Sequence, residues 1–176
     1  MKIKNVADLG RKTVEEFRRS EKFPLAVVLD NVRSMHNVGS VFRTADAFLV
    51  SGIWLCGYTP RPPHRDINKT ALGATETVNW HYAEQAHHAV DHLKSEGYRI
   101  FAVEQVEKSI PLHEFSFNSA DKIAVIFGNE VSGIDGGVLE RCDGFLEIPQ
   151  FGMKHSLNVS VAAGIVLWDL VRRFSR

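Results

Sequence analysis

Much that would assign this chain quickly is missing from it. Among 176 residues there are two cysteines, Cys56 and Cys142, and no CxxC pair, which excludes a disulfide framework and a cysteine-based zinc site. Charge of one sign is missing too, because Lys plus Arg and Asp plus Glu both total 21. A nucleic-acid partner would therefore have to rely on a local basic patch. The N-terminus carries no apolar run suited to a signal peptide, and the longest apolar stretch, 161–168, falls far short of the roughly 20 residues a membrane helix needs. Both cysteines sit in apolar, strand-like surroundings and read as reduced, buried thiols, so a cytoplasmic protein with no membrane partner is expected. Phosphate loops are absent as well: there is no G-x-G-x-x-G and no Gly-Lys-Ser/Thr turn, which disfavours dinucleotide and nucleotide-triphosphate enzymes.

What is present is an alternation of short apolar runs and helical stripes, typical of one α/β domain with a mainly parallel sheet and helices on both faces. The spacing predicts helices over 5–19, 38–49, 66–72, 83–95 and 136–141. Strands are expected over 25–29, 52–56, 76–80, 99–103, 122–127 and 144–148. The last helix has almost no polar face in its sequence, so it reads as buried, with Ser156 as a plausible N-cap. We divide the chain into a short helical segment, 1–22, and the α/β domain proper, 23–176.

In such sheets ligands bind just past the carboxyl ends of the strands. Three of those segments are unusually polar. The first holds Asn37 and Gly39 at a helix start, where free N–H groups suit an anion, followed by Arg43 on a helix that otherwise packs inward. The second is Gly128-Asn129-Glu130, with a glycine that permits close backbone approach and a carboxylate at the sheet edge. In the third, Ser156, Asn158 and Ser160 crowd the mouth of the last helix. Each alone reads as a capped or solvated turn, but three on one sheet edge imply a shared pocket.

In order along the chain, Asn37-Val38-Gly39-Ser40-Val41-Phe42-Arg43-Thr44-Ala45, Ile126-Phe127-Gly128-Asn129-Glu130-Val131-Ser132-Gly133 and Ile148-Pro149 through Met153 to Ser156-Leu157-Asn158-Val159-Ser160 resemble the three motifs of the SpoU (TrmH-like) RNA ribose methyltransferases of the SPOUT superfamily. Lys69-Thr70-Ala71-Leu72-Gly73-Ala74 also looks like a family segment, and the similarity runs from about residue 25 to the C-terminus. The resemblance implies a C-terminal trefoil knot and S-adenosylmethionine as cofactor, held by Gly128, Ile148 and Leu157. It implies methyl transfer to a ribose 2′-OH of RNA, tRNA more than rRNA, by a homodimer whose active site is completed across the interface. Arg43 would stabilise the developing alkoxide, a role suited to its fixed fork of donors, with Asn37, Glu130, Ser156 and Asn158 positioning it and the ribose. Glu130 would either pair with Arg43 or accept a proton.

For RNA contact the basic residues of choice are Arg61, His64, Arg65 and Lys69, with Arg11 and Lys12 near the N-terminus. His88 and His92 lie four apart beside His87, but no Cys or carboxylate at helical spacing completes a ligand set, and no metal is expected. The competing reading is a knotted RNA-binding protein that has lost catalysis. The presence of Asn37, Arg43, Glu130 and Asn158 together argues against it.

Overall fold

The computed structural model describes residue 10, residues 12–154 and residues 156–174. The expected helix over 5–19 therefore lies partly outside the described residues, as does Arg11. Its described part begins late, at α1 (Val14–Arg19), because Thr13 forms a capping box with Glu16. The elements that follow are β1 (Phe23–Asp30), α2 (Met35–Ala47), β2 (Val50–Cys56), α3 (Arg65–Ala71), α4 (Ala74–Thr77), β3 (Trp80–Ala83), α5 (Ala86–Ser95), β4 (Tyr98–Val103), β5 (Ile110–Pro111), β6 (Lys122–Phe127), α6 (Gly136–Leu139), β7 (Gly144–Glu147) and α7 (Val159–Phe174).

All seven strands join one sheet in the order β3-β2-β1-β6-β4-β7-β5, and every ladder is parallel. β1 shows why its run is continuously apolar: Leu25, Val27 and Leu29 enter one core while Ala26 and Val28 enter the other. The first core lies under α2, α3, α4 and α7, and holds the larger side chains, Phe42, Phe101 and Phe127 among them. The second lies under α5 and α6 and is rich in alanine, with Ala86, Ala89, Ala102 and Ala124 letting α5 sit close to the sheet. Phe17 of α1 is buried in the first core, and Arg18 donates to the Glu76 carbonyl, so the N-terminal helix is anchored to the sheet domain.

Five expectations from the sequence need correction. The strand foreseen over 76–80 is a helical turn, α4, followed by β3 at 80–83. Leu72 (φ 50°) and Gly73 (φ 91°) both turn left-handed, ending α3 and launching α4, and Thr77 locks it by donating to Asp46. β3 pairs only with β2, so as an edge strand its sequence, Trp-His-Tyr-Ala, shows no apolar run. The helix foreseen over 83–95 accordingly starts at Ala86, since Ala83 belongs to β3. The last helix is not buried all round: Val161, Ile165 and Trp168 are 50%, 39% and 56% exposed. Its N-terminus is capped by Asn158, whose Oδ1 accepts from the Ser160 N–H at 2.9 Å, and not by Ser156. Cys142 is half-buried where full burial was expected, while Cys56 is buried outright; burial pushes their thiols up to about 11 and about 12 respectively. No helix among the described residues is long and apolar enough to cross a membrane.

Gly39 sits where α3 crosses α2. A Cβ there would strike the Ile67 carbonyl oxygen and the Thr70 hydroxyl, and Thr70 itself donates to the His36 carbonyl at 2.9 Å. Gly39→Ala should therefore destabilise the fold by about 1–3 kcal/mol, the usual cost of overpacking a helix contact. Thermal denaturation should show a midpoint several degrees lower, whereas Gly136→Ala, with nothing within 4 Å of the added carbon, should be nearly neutral.

Candidate active site

The three polar segments meet at the carboxyl edge of the sheet, next to the point where the strand order reverses between β1 and β6. Glu130 joins two of them directly. Its carboxylate accepts from the Arg33 N–H (3.1 Å), the Ser34 N–H (3.3 Å) and Asn37 Nδ2 (3.0 Å). Asn37 Oδ1 in turn accepts from Asn158 Nδ2 at 3.1 Å, which brings in the third segment. Asn158 Oδ1 accepts from both the backbone N–H and the hydroxyl of Ser160. The chain Glu130–Asn37–Asn158–Ser160 is thus continuous.

The anion expected at the start of α2 is supplied by the protein itself. Free N–H groups at a helix N-terminus attract negative charge, and here the Glu130 carboxylate takes that place. Gly39 belongs instead to the contact with α3. Burial pushes the Glu130 carboxyl up, but the donors at Arg33, its own backbone, Asn37 and Ser34 together outweigh that, and the net effect is a carboxyl held below its ordinary value. A carboxylate stabilised in this way is a poor proton acceptor.

Gly128 is required for a reason other than ligand approach. A Cβ there would lie 2.5 Å from the Ile134 nitrogen and 2.6 Å from the Gly133 oxygen, so the chain's own backbone fills the space. Asn129 and Gly133 exchange two backbone hydrogen bonds of 3.0 Å, closing a tight loop that holds Glu130 at its tip.

Beside this network opens a cleft of about 510 Å³ at the ends of β4, β6 and β7. Gly128, Ile148 and Leu157, the three residues expected at a cofactor, all line it, as do Glu130, Ser156 and Asn158. Its apolar walls are Phe127, Leu146, Val159 and Ala162. Ser156 is exposed at the mouth.

Arg43 is elsewhere. It does not line the cleft, and among the described residues it makes no hydrogen bond or ion pair, with Glu130 or any other group. Asn37, Glu130 and Asn158 hold one another, and within a single chain none of them touches Arg43. The arginine stands on the exposed stripe of α2 formed with His36 and Ala47.

The basic candidates are scattered in role. Arg61 lies over the Tyr82 ring at 4.0 Å, His64 Nδ1 caps α3 by accepting from the Asp66 N–H, and Lys69 is paired with Asp66 at 2.6 Å. Arg65 and Lys12 are exposed. His92 packs against Trp54 and reaches Glu96, and the described residues contain no cluster of three or more side chains able to hold a metal ion.

Sequence reasoning missed a second, buried layer behind the site. Asp30, Thr59 and Asn129 are 2%, 2% and 7% exposed. Asn129 Nδ2 donates to the Asn31 carbonyl and the Tyr58 hydroxyl, while its Oδ1 accepts from the N–H groups of Val131 and Ser132. Thr59 bridges the Leu29 carbonyl and the Val32 N–H. Asp30 accepts from Asn31 and from the Asp135 N–H, and burial raises its carboxyl above the ordinary value. A polar residue at or within three positions of the end of each apolar run was the one available signal, and it does not distinguish a solvated turn from an internal strut.

Because the folded pKa of Glu130 is depressed, its contribution to stability is present above the ordinary value of 4.5 and is lost as pH falls through the lower folded value. Glu130→Gln should melt below the unaltered protein at neutral pH, and the gap should close on acidification beneath about 4.5, as followed by thermal midpoints across the pH range. A gap independent of pH would contradict the assigned role of the charge.

With this geometry in place, comparison with known proteins is informative. A family model described as the SpoU rRNA Methylase family matches residues 24–168. The tRNA (guanosine(18)-2′-O)-methyltransferase of Thermus thermophilus is 32% identical over 163 residues, covering 93% of this chain and 82% of that protein. The 23S rRNA (guanosine-2′-O-)-methyltransferase of Vibrio vulnificus is 29% identical over 172 residues, covering 98% and 68%. Among solved structures, the Aquifex aeolicus TrmH/SpoU tRNA-modifying enzyme superposes with a TM-score of 0.81 at 26% identity, covering 92% of this chain and 81% of that one. The AdoMet-bound rRNA methyltransferase of Sinorhizobium meliloti gives 0.79 at 26% identity, covering 89% and 59%. With all three motif segments gathered at one sheet edge and most of its length matched, the chain belongs to the SpoU rRNA methylase family.

Proposed function

We propose that this chain transfers the methyl group of S-adenosylmethionine to a ribose 2′-OH of RNA, with tRNA favoured over rRNA. The observation that carries the reading is the union of the three motif segments, through Glu130, Asn37 and Asn158, on the rim of a single cleft. The cleft fits the cofactor on its own terms. Its volume is in the range of small-molecule sites, and it combines apolar walls for an adenine with backbone groups at Gly128, Ile148 and Leu157 for fixed polar contacts.

When bound, the cofactor supplies an electrophilic methyl on a sulfonium. Attack of a ribose 2′-oxygen on that methyl would require the hydroxyl to give up its proton. The residues of this chain would orient the hydroxyl and lower the energy of the charge that develops on it. Glu130, held ionised by three donors, serves to fix Asn37 and the loop, leaving solvent to take the proton. Arg43 would offset the negative charge on the 2′-oxygen and the neighbouring phosphate, since guanidinium stays protonated and cannot be the base.

Arg43 stands outside its own chain's cleft, which favours a homodimer in which a second copy completes the site. The exposed stripe Val161, Ile165 and Trp168 of α7 supports this. It forms, with Leu112, Ile148 and Pro149, an apolar groove of about 620 Å³ that shares Ile148 with the cleft. The C-terminal knot fits the same picture. β7 lies between β4 and β5, which are consecutive in the chain, so the C-terminal segment would pass through the loop that joins β4 to β6. We assign RNA contact to Arg61 and Arg65, which are exposed in the loop after β2 and at the start of α3.

Incubation with methyl-labelled S-adenosylmethionine and RNA from cells lacking this protein should yield a labelled 2′-O-methyl nucleoside. Arg43→Ala should reduce that incorporation by roughly 10²-fold or more, while cofactor affinity stays within about twofold. Retained cofactor binding with no incorporation by the unaltered protein into tRNA or rRNA would instead favour the catalytically inactive RNA-binding relative. In sedimentation, Trp168→Glu should convert a dimer to a monomer that still binds the cofactor; a monomeric unaltered protein would refute the dimer.

A further inference from the structure

The charges lining the cleft are one-sided. Glu104, Glu130 and Glu147 all face it, and no Lys, Arg or His among the described residues does. Two of these carboxylates are committed to the fold. Glu130 accepts three hydrogen bonds from the α2 segment, and Glu147 accepts from the Ser109 hydroxyl at 2.6 Å. Glu104, one residue past the end of β4, is different. Its Oε1 accepts only from the N–H of its own neighbour, Gln105, at 3.2 Å, and its Oε2 has no donor among the described residues.

The position of that free oxygen is built. Glu104 Oε2 rests against Gly133, where a Cβ would approach it to 2.8 Å, and Gly133 adopts φ +69°. A side chain at 133 would evict the carboxylate from the loop, so the same glycine that closes the turn with Asn129 also makes room for Glu104. The result is a half-buried carboxylate with spare acceptor capacity, held beside Gly128 and the Glu130 loop at the edge of the cleft.

We propose that Glu104 is the residue through which the cleft reads the positive charge of its cofactor, distinguishing S-adenosylmethionine from the demethylated product. This rests on the cofactor assigned above. Methyl transfer turns a cationic sulfonium into a neutral thioether, so the ligand loses one unit of positive charge without changing the rest of its framework. A carboxylate in a partly enclosed site attracts the charged form more strongly than the neutral one. The product is then held less tightly relative to the substrate than its shape alone would dictate, and the cleft favours exchange after each turnover.

The test is a pair of binding titrations, by calorimetry, with S-adenosylmethionine and S-adenosylhomocysteine on the unaltered protein, Glu104→Gln and Glu104→Asp. Glu104→Gln keeps the size and an acceptor oxygen but removes the charge. It should weaken S-adenosylmethionine relative to S-adenosylhomocysteine by roughly three- to tenfold at low salt, as expected of a partly screened charge pair. The shift should shrink in about 0.5 M salt. Glu104→Asp, which keeps the charge, should retain most of the discrimination. Equal weakening of both ligands by Glu104→Gln would overturn the proposal, marking instead a contact with a group the two share, such as the ribose hydroxyls. An unchanged ratio with unchanged affinities would overturn it as well. If the unaltered, folded protein bound neither ligand, the cofactor assignment itself would fall and this inference with it.

Discussion

The carboxylate of Glu130 lies against the first turn of α2, where N–H groups with no helical partner concentrate positive potential. By accepting from Arg33, Ser34 and Asn37 it fastens the end of β6 to the end of β1, and through Asn37 it reaches Asn158 at the start of α7. Asn37 is 93 positions from Glu130 and 121 from Asn158, yet side-chain hydrogen bonds fix all three segments to one another at a single point. Everything proposed for the site depends on that point. The cleft floor at Gly128, the cleft wall at Leu157 and the exit of the chain into α7 are all set relative to it.

Behind the front network stands the buried layer of Asp30, Thr59 and Asn129. Buried polar groups are tolerated only when their hydrogen bonds are made, and here each is. Asn129 in particular satisfies both ends of its amide, bracing the loop that carries Glu130 from the inside. The loop is further constrained by the close approach of residues 128 and 133–134, which only glycine at 128 allows. Rigid support of this kind is what a site needs if it is to align a weak nucleophile with a methyl donor. The acidic lining of the cleft and the exposed apolar stripe of α7 then give the surroundings two faces of opposite character, one charged and one apolar.

Reading the sequence worked best where burial on both sides of the sheet leaves a continuous apolar signature, as in β1 and β6. It failed where tertiary context overrides the local pattern. Residues 76–80 look like a strand because Thr77, Val78 and Trp80 are β-formers, yet consecutive left-handed residues at 72 and 73 force a new helical turn first. β3 and the two-residue β5 are edge strands, too short or too polar to announce themselves. The apolar character of α7 was legible, but the sequence cannot say whether an apolar face meets the core or a partner. The motif residues were legible as a set, and their partners were not. Nothing in the spacing of Asn37, Glu130 and Asn158 indicates that they bind each other while Arg43 stands apart on the outer face of α2. Glu104 was invisible for a related reason: a lone glutamate after a strand looks solvated until the empty space over Gly133 shows where it rests.

The most direct test of this account is a crystal structure of the protein grown with S-adenosylmethionine. The account predicts the nucleoside in the cleft at the ends of β4, β6 and β7, touching the main chain of Gly128, Ile148 and Leu157, with the Glu130–Asn37–Asn158 chain intact beside it. Cofactor bound elsewhere on the molecule, or bound only after that chain of hydrogen bonds has come apart, would contradict it.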